Sequence, residues 1–83
     1  MEDKVVIYGK PRCPFCDKAK AVSAMKGFDY EYKLLDADYT QEEFFEQFPT
    51  ARTFPQIVVG ETHVGGYTEF AKFLSEEYGL EVS

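Results

Sequence analysis

The stretch KVVIYGKPRCPFCDKAKAVSAMKG, residues 4–27, decides the fold of this chain. Its β-branched and aromatic opening, residues 4–8, predicts a buried strand. Apolar side chains then recur at helical spacing from Pro14 onward. Pro14 suits the first position of a helix, and Gly27 suits the position just past its end. A strand, a helix and a following strand predict a parallel pair with a right-handed crossover.

The residues after this stretch predict a second strand, a short helix, a hairpin and a last helix. Thr40 and Glu43 have the spacing of a capping box, and the Gly60–Glu61 pair predicts the turn of an antiparallel hairpin. The predicted strands lie at 28–36, 55–59 and 62–64. Thr40 opens a short helix that ends before Pro49, and a last helix runs from about Thr68 to Tyr78, where Gly79 ends it. The order β-α-β-α-β-β-α predicts an α/β fold with a four-stranded mixed sheet and helices on both faces.

The size and composition of the chain limit its class. A length of 83 residues allows one small domain, residues 1–83, and 45% hydrophobic residues are enough for a core. No apolar run approaches the roughly 18 residues of a membrane span, and the first residues do not resemble a signal peptide. Two cysteines are too few for a disulfide scaffold. We therefore expect a cytoplasmic protein that does not associate with membranes.

The charge is unevenly distributed along the chain. The net charge of −6 argues against general binding to nucleic acid or to anionic membranes. Residues 1–27 nevertheless carry six basic and three acidic side chains, a net charge of +3, which leaves −9 on the remainder. A local positive field around the cysteines would stabilise a thiolate and attract an anionic thiol substrate.

The two cysteines lie three positions apart at the start of the first predicted helix. Cys13 falls at the N-cap, where backbone N–H groups favour negative charge and lower the pKa of a thiol. Cys16 lies one turn later, within disulfide range and sheltered. We expect the Cys13 sulfur to be exposed and acidic. This arrangement suits thiol–disulfide exchange, in which one thiolate attacks and a second thiol resolves.

Three interpretations besides a redox pair stay open for the two cysteines. A structural zinc site needs four ligands, whereas Cys13, Cys16 and His63 provide three. A metal site shared between two chains would have to form on a loop that Pro14 stiffens. An inert pair of buried cysteines does not agree with the position of Cys13 on a loop beside basic residues. The position of the C-x-x-C motif between a first strand and a first helix favours the redox interpretation. We expect His63 to be a surface residue of the hairpin and not a catalytic base.

Three motifs together resemble the dithiol glutaredoxins over nearly the whole chain. They are CPFC at 13–16, TFP at 53–55 and GGYTEF at 65–70. The resemblance implies a thioredoxin-like fold in a single glutaredoxin domain, 1–83. It also implies a monomeric enzyme that uses glutathione, with no metal, to reduce protein disulfides and glutathione mixed disulfides. Some glutaredoxins supply electrons to ribonucleotide reductase, which makes that enzyme a possible partner.

The resemblance also assigns roles to individual residues. Cys13 would be the nucleophile and Cys16 the resolving thiol, and the Phe54–Pro55 bond would be cis. A cis bend there would leave the backbone of Phe54 free to bind glutathione as an added strand. The implied glutathione contacts are Lys10, Phe15, Thr53, Phe54, Pro55, Gly66, Tyr67, Thr68 and Glu69.

Two of these positions depart from the common family pattern. Phe15 replaces the commoner tyrosine, and Glu69 the commoner aspartate.

Two rival functions lie close to this one. A glutaredoxin-like redoxin would be reduced by thioredoxin reductase, although the GGYTEF motif argues against that class. An iron–sulfur cluster carrier would use Cys13 and glutathione from two chains to hold a cluster.

Overall fold

The computed structural model describes residues 4–80, and its elements follow the predicted order. The strands are β1 (Val5–Gly9), β2 (Tyr30–Leu34), β3 (Gln56–Val59) and β4 (Thr62–Gly65). The helices are α1 (Pro14–Met25), α2 (Gln41–Gln47) and α3 (Tyr67–Tyr78). None of the helices within 4–80 has the length and apolar character that crossing a membrane requires.

The four strands form one mixed sheet in the order β2-β1-β3-β4. Strand β1 pairs parallel with β2, whereas β3 is antiparallel to both β1 and β4. This confirms the predicted parallel pair and the predicted hairpin. Because β1 is central, the loop that follows it lies at the middle of the sheet edge.

Alternating residues of the sheet divide the interior into two cores. Helices α1 and α3 cover one face and α2 covers the other. This confirms the prediction that helices lie on both faces of the sheet. The first core contains Val5, Ile7, Ala19, Val22, Phe28, Ile57, Val59, Phe70 and Leu74. The second contains Tyr8, Tyr39, Phe44 and Phe48, with Phe54 packed against it. The second core is therefore an aromatic cluster that reaches the Thr53–Pro55 segment.

The helix ends confirm the signals seen in the sequence. Thr40 and Glu43 form a full capping box, since each side chain accepts a hydrogen bond from the other residue's backbone N–H, at 3.1 and 2.8 Å. Gly27 follows α1 with a φ of +79°, a conformation that glycine adopts without steric cost. Gly79 ends α3 in the left-handed region.

Strand β2 is shorter than the predicted 28–36, and β3 begins one residue later than predicted. The Asp38 carboxylate accepts a hydrogen bond from the Leu34 N–H at 2.8 Å, in the turn where Asp36 has a φ of +67°. The Leu34 N–H points away from β1, because β2 is the edge strand and the Leu35 N–H is the group that donates to the Gly9 carbonyl, at 3.0 Å. The N–H groups of Ala37 and Asp38 both donate to the Leu34 carbonyl, at 3.1 and 2.8 Å, so a turn ends the strand at Leu34.

Gly9 is the position in the sheet where an added methyl group has the least room. A Cβ at Gly9 would overlap the Tyr32 hydroxyl and lie 2.7 Å from the Tyr32 Cζ. The Tyr32 ring also lies 4.7 Å from the Lys20 ammonium. We expect Gly9→Ala to lower the free energy of unfolding by about 1–3 kcal/mol, because the ring must move.

Urea unfolding measures this loss. Tyr32→Phe removes the nearest clashing atom, so the double variant Gly9→Ala/Tyr32→Phe is expected to lose less than the two single losses combined. Equal stability of Gly9→Ala and the wild type would contradict the steric argument.

Candidate active site

Cys13 and Cys16 are joined in a disulfide at the start of α1, with their Cα atoms 5.2 Å apart. Cys13 is the N-cap of the helix and has an extended backbone conformation. Its Sγ accepts a hydrogen bond from the Cys16 N–H at 3.2 Å. When the pair is reduced, we expect the same N–H and the helix dipole to stabilise the Cys13 thiolate.

The exposure predicted for Cys13 is wrong for this oxidised state. Cys13 is 6% exposed and Cys16 is fully buried. The Cys13 sulfur is bonded to a buried partner and faces the first turn of the helix, so little of it meets solvent. Cys13 is still the more accessible of the two cysteines.

A hydrogen bond at Gly9 and a left-handed residue at Arg12 shape the backbone between β1 and Cys13. The Tyr39 hydroxyl donates a hydrogen bond to the Gly9 carbonyl at 2.6 Å, and burial raises the pKa of that hydroxyl. Arg12 has a φ of +59°, the left-handed region that few residues other than glycine adopt. The chain therefore turns sharply between the end of β1 and the nucleophile.

A pocket of about 310 Å³ is formed where the helix start meets two other segments. It brings together seven of the residues implied by the sequence motifs. Its lining residues are Phe15, Thr53, Phe54, Gly66, Tyr67, Thr68 and Glu69. Of the other implied residues, Pro55 is buried, and Lys10 places its Nζ 5.4 Å from the Phe54 ring centroid. The Phe54–Pro55 peptide bond is cis, as the resemblance implied.

Phe15 of α1 and Tyr67 of α3 contribute aromatic rings to this pocket, and a lysine lies over one of them. The Phe15 and Tyr67 rings lie 5.8 Å apart at an angle of 31°, and Phe15 is 56% exposed. Lys18 places its Nζ 5.3 Å from the Tyr67 ring centroid. The Tyr67 hydroxyl is buried and has no hydrogen-bond partner among residues 4–80. Phe15 therefore contributes an exposed apolar surface beside the cysteines.

The start of α3 approaches the Thr53–Pro55 segment closely. The Gly66 N–H donates a hydrogen bond to Glu69 Oε1 at 3.0 Å, so one carboxylate oxygen caps the helix. A Cβ at Gly66 would lie 3.0 Å from that oxygen and 3.6 Å from the Pro55 carbonyl. This close packing explains why glycine suits the position.

Two polar residues near the site were missed by sequence reasoning. Lys18 lies three residues after Phe15 on α1, a spacing that places both on one helix face. Gln56 is a polar residue in an otherwise apolar strand and is only 5% exposed. Its amide donates a hydrogen bond to the Thr53 carbonyl at 2.8 Å. His63 is exposed on the hairpin, as predicted.

No group of three or more His, Cys, Asp or Glu side chains in the described part of the chain is placed to hold a metal ion.

The chain is similar to glutaredoxins both in sequence and in structure. The family model named Glutaredoxin matches residues 5–64. A glutaredoxin of Haemophilus influenzae is 36% identical over 83 residues, covering 92% of this chain and 95% of its own length. Glutaredoxin 1 of Escherichia coli is 34% identical over 80 residues, covering 88% and 94%.

A solved structure of reduced Escherichia coli glutaredoxin has the same fold. It superposes with a TM-score of 0.78 at 32% sequence identity, and covers 93% of this chain and 99% of its own. The family match, the thioredoxin-like fold and the C-x-x-C pair at the start of α1 agree with one another. The chain belongs to the glutaredoxin family and is a thiol–disulfide oxidoreductase of the dithiol type.

Proposed function

We propose that this protein uses glutathione to reduce protein disulfides and to remove glutathione from mixed disulfides. The observation that carries the proposal is the pocket beside the redox pair, which joins Phe15 between the cysteines to Thr53, Phe54 and the start of α3. A pocket formed by an extended segment and a helix N-terminus suits a short peptide with a terminal carboxylate.

The two ends of glutathione would meet different parts of this pocket. The first N–H groups of a helix have no partner within it, so those of Tyr67 and Thr68 are available to the γ-glutamyl carboxylate. Gly66 already donates to Glu69. The Thr53–Phe54 backbone, just before the paired strand β3, would bind the peptide as an added strand. Lys10 would pair with the glycyl carboxylate.

The chemistry on a glutathione mixed disulfide needs only Cys13. The Cys13 thiolate attacks the glutathione sulfur, the substrate disulfide breaks, and the substrate leaves as a thiolate. A second glutathione thiolate then attacks the glutathione sulfur held on Cys13. Cys13 is released as a thiolate, and glutathione disulfide is the oxidised product.

The chemistry on a protein disulfide also needs Cys16. Cys13 first forms a mixed disulfide with one substrate sulfur and releases the other as a thiolate. The Cys16 thiolate then attacks Cys13, which releases the reduced substrate and leaves the Cys13–Cys16 disulfide seen in the structure. Two molecules of glutathione restore the dithiol and leave as glutathione disulfide.

The cellular setting follows from the same proposal. The protein would act as a monomeric single domain, residues 1–83, in the reducing environment of the cytoplasm, with no metal cofactor. Its protein substrates would carry disulfides or bound glutathione, and ribonucleotide reductase is one candidate. Neither nucleic acid nor a membrane is a proposed partner.

A coupled assay tests the choice of reductant. A glutathionylated peptide is the substrate, and NADPH oxidation is followed with glutathione plus glutathione reductase, or with thioredoxin reductase alone. We expect turnover in the first mixture and only background in the second. Turnover with thioredoxin reductase alone would instead support the redoxin function. Absorbance near 400 nm after anaerobic reconstitution with iron and sulfide would support the cluster carrier.

A further inference from the structure

A chain of hydrogen bonds runs from the hairpin to the wall of the pocket. His63 on β4 places its Nε2 2.7 Å from Gln56 Oε1. The amide nitrogen of Gln56 then donates to the Thr53 carbonyl at 2.8 Å. Thr53 lines the pocket and Gln56 is buried, so the chain joins a surface imidazole to the proposed ligand site.

The direction of these bonds fixes the proton on His63. Because the Gln56 amide nitrogen donates to Thr53, its oxygen is the acceptor that faces His63. His63 Nε2 must therefore carry a hydrogen, whether the ring is neutral or protonated. Protonation makes this bond charge-assisted, roughly doubles its strength, and polarises the amide that holds Thr53.

The surroundings of His63 hold its ring on one side and leave it exposed to solvent. The ring packs 4.5 Å from the Phe48 ring at the end of α2, a contact that carries no charge. His63 also lines a groove together with Glu69, Lys72 and Glu76 of α3. His63 itself is exposed.

We propose that His63 and Gln56 are positioning residues that hold the Thr53–Pro55 segment for the ligand, and that protonation of His63 tightens this hold. The proposal deepens the proposed function, because it takes glutathione as the ligand of that segment. Neither residue touches the reacting sulfur atoms. Their effect is expected in ligand binding and not in the exchange step.

Two substitutions separate the role of His63 as a hydrogen-bond donor from its role as a group that gains a proton. His63→Phe keeps a ring against Phe48 but has no donor for Gln56. His63→Gln keeps a donor of similar reach but does not titrate. We expect His63→Phe to raise KM for a glutathionylated peptide by about threefold to tenfold with kcat nearly unchanged, the effect of one lost hydrogen bond. His63→Gln is expected to restore most of the affinity.

Amide NMR signals give a test that does not depend on glutathione. In the wild type, the Gln56 side-chain amide and the backbone N–H signals of Thr53 and Phe54 are expected to shift together as His63 titrates. The same signals are expected to lose this shift in His63→Gln. The proposal would be overturned if His63→Phe had the wild-type KM. It would also be overturned if the Gln56, Thr53 and Phe54 amide signals of the wild type did not shift as His63 titrates. A wild type that fails to use glutathione would overturn the proposed function instead, and the NMR result would still decide the role of His63.

Discussion

Cys13→Ser is expected to abolish thiol–disulfide exchange with every substrate, whereas Cys16→Ser keeps one of the two activities. The thiolate is the nucleophile in these reactions, and Cys13 is the N-cap cysteine and the more accessible of the pair. A serine hydroxyl at Cys13 would not ionise at neutral pH, so its activity falls to the uncatalysed rate. Cys16 is fully buried and can act only on a partner already attached to Cys13.

The two variants are compared on two substrates. Cys16→Ser is expected to remove glutathione from a glutathionylated peptide at a rate near that of the wild type, and to lose most reduction of a protein disulfide. The rate of thiol alkylation against pH serves as a control, since Cys13 in Cys16→Ser is expected to titrate below the roughly 8.5 of a free cysteine. Loss of both activities in Cys16→Ser, or an ordinary thiol at Cys13, would contradict the roles assigned here.

Phe44→Ala is expected to produce the largest loss of stability among single changes in the aromatic cluster. Phe44 is 2% exposed, and its ring stacks on Phe54 with the centroids 4.7 Å apart. It also contacts Tyr39 and Phe48. Truncation of a buried phenylalanine costs about 3–5 kcal/mol, a large share of the roughly 4–12 kcal/mol typical of a chain this size.

The neighbouring residue supplies a matched control. Phe45 has the same side chain on the same helix but is 42% exposed, so Phe45→Ala is expected to cost about 1 kcal/mol or less. Urea unfolding compares the two variants. Since Phe44 supports Phe54 in the pocket wall, Phe44→Ala is also expected to raise KM for a glutathionylated peptide. Equal losses in the two variants would show that α2 does not anchor this side of the fold.

Local signals in the sequence were sufficient to predict most of the fold. Apolar periodicity indicated the seven elements, and Thr40, Gly27 and Gly79 marked helix ends that the structure confirms. The parallel pairing of β1 with β2 followed from chirality. The end of β2 was not predictable, because it depends on a turn in which the Leu34 carbonyl accepts hydrogen bonds from the Ala37 and Asp38 N–H groups.

The site was predictable where motifs define it and not where distant residues meet. CPFC, TFP and GGYTEF located the pocket lining, since each motif is contiguous. The burial of Cys13 depends on the disulfide and on the first turn of α1. The hydrogen-bond chain from His63 to Thr53 crosses from one strand to the next, so no spacing within a single segment reveals it.

We propose that Cys13 takes glutathione from substrates in this pocket. The most direct measurement is intact mass after mixing reduced Cys16→Ser or Cys13→Ser with a glutathionylated protein and quenching with acid. We expect one glutathione on Cys16→Ser, released again by free glutathione, and none on Cys13→Ser. A glutathione adduct on Cys13→Ser, or none on Cys16→Ser, would contradict this role of Cys13.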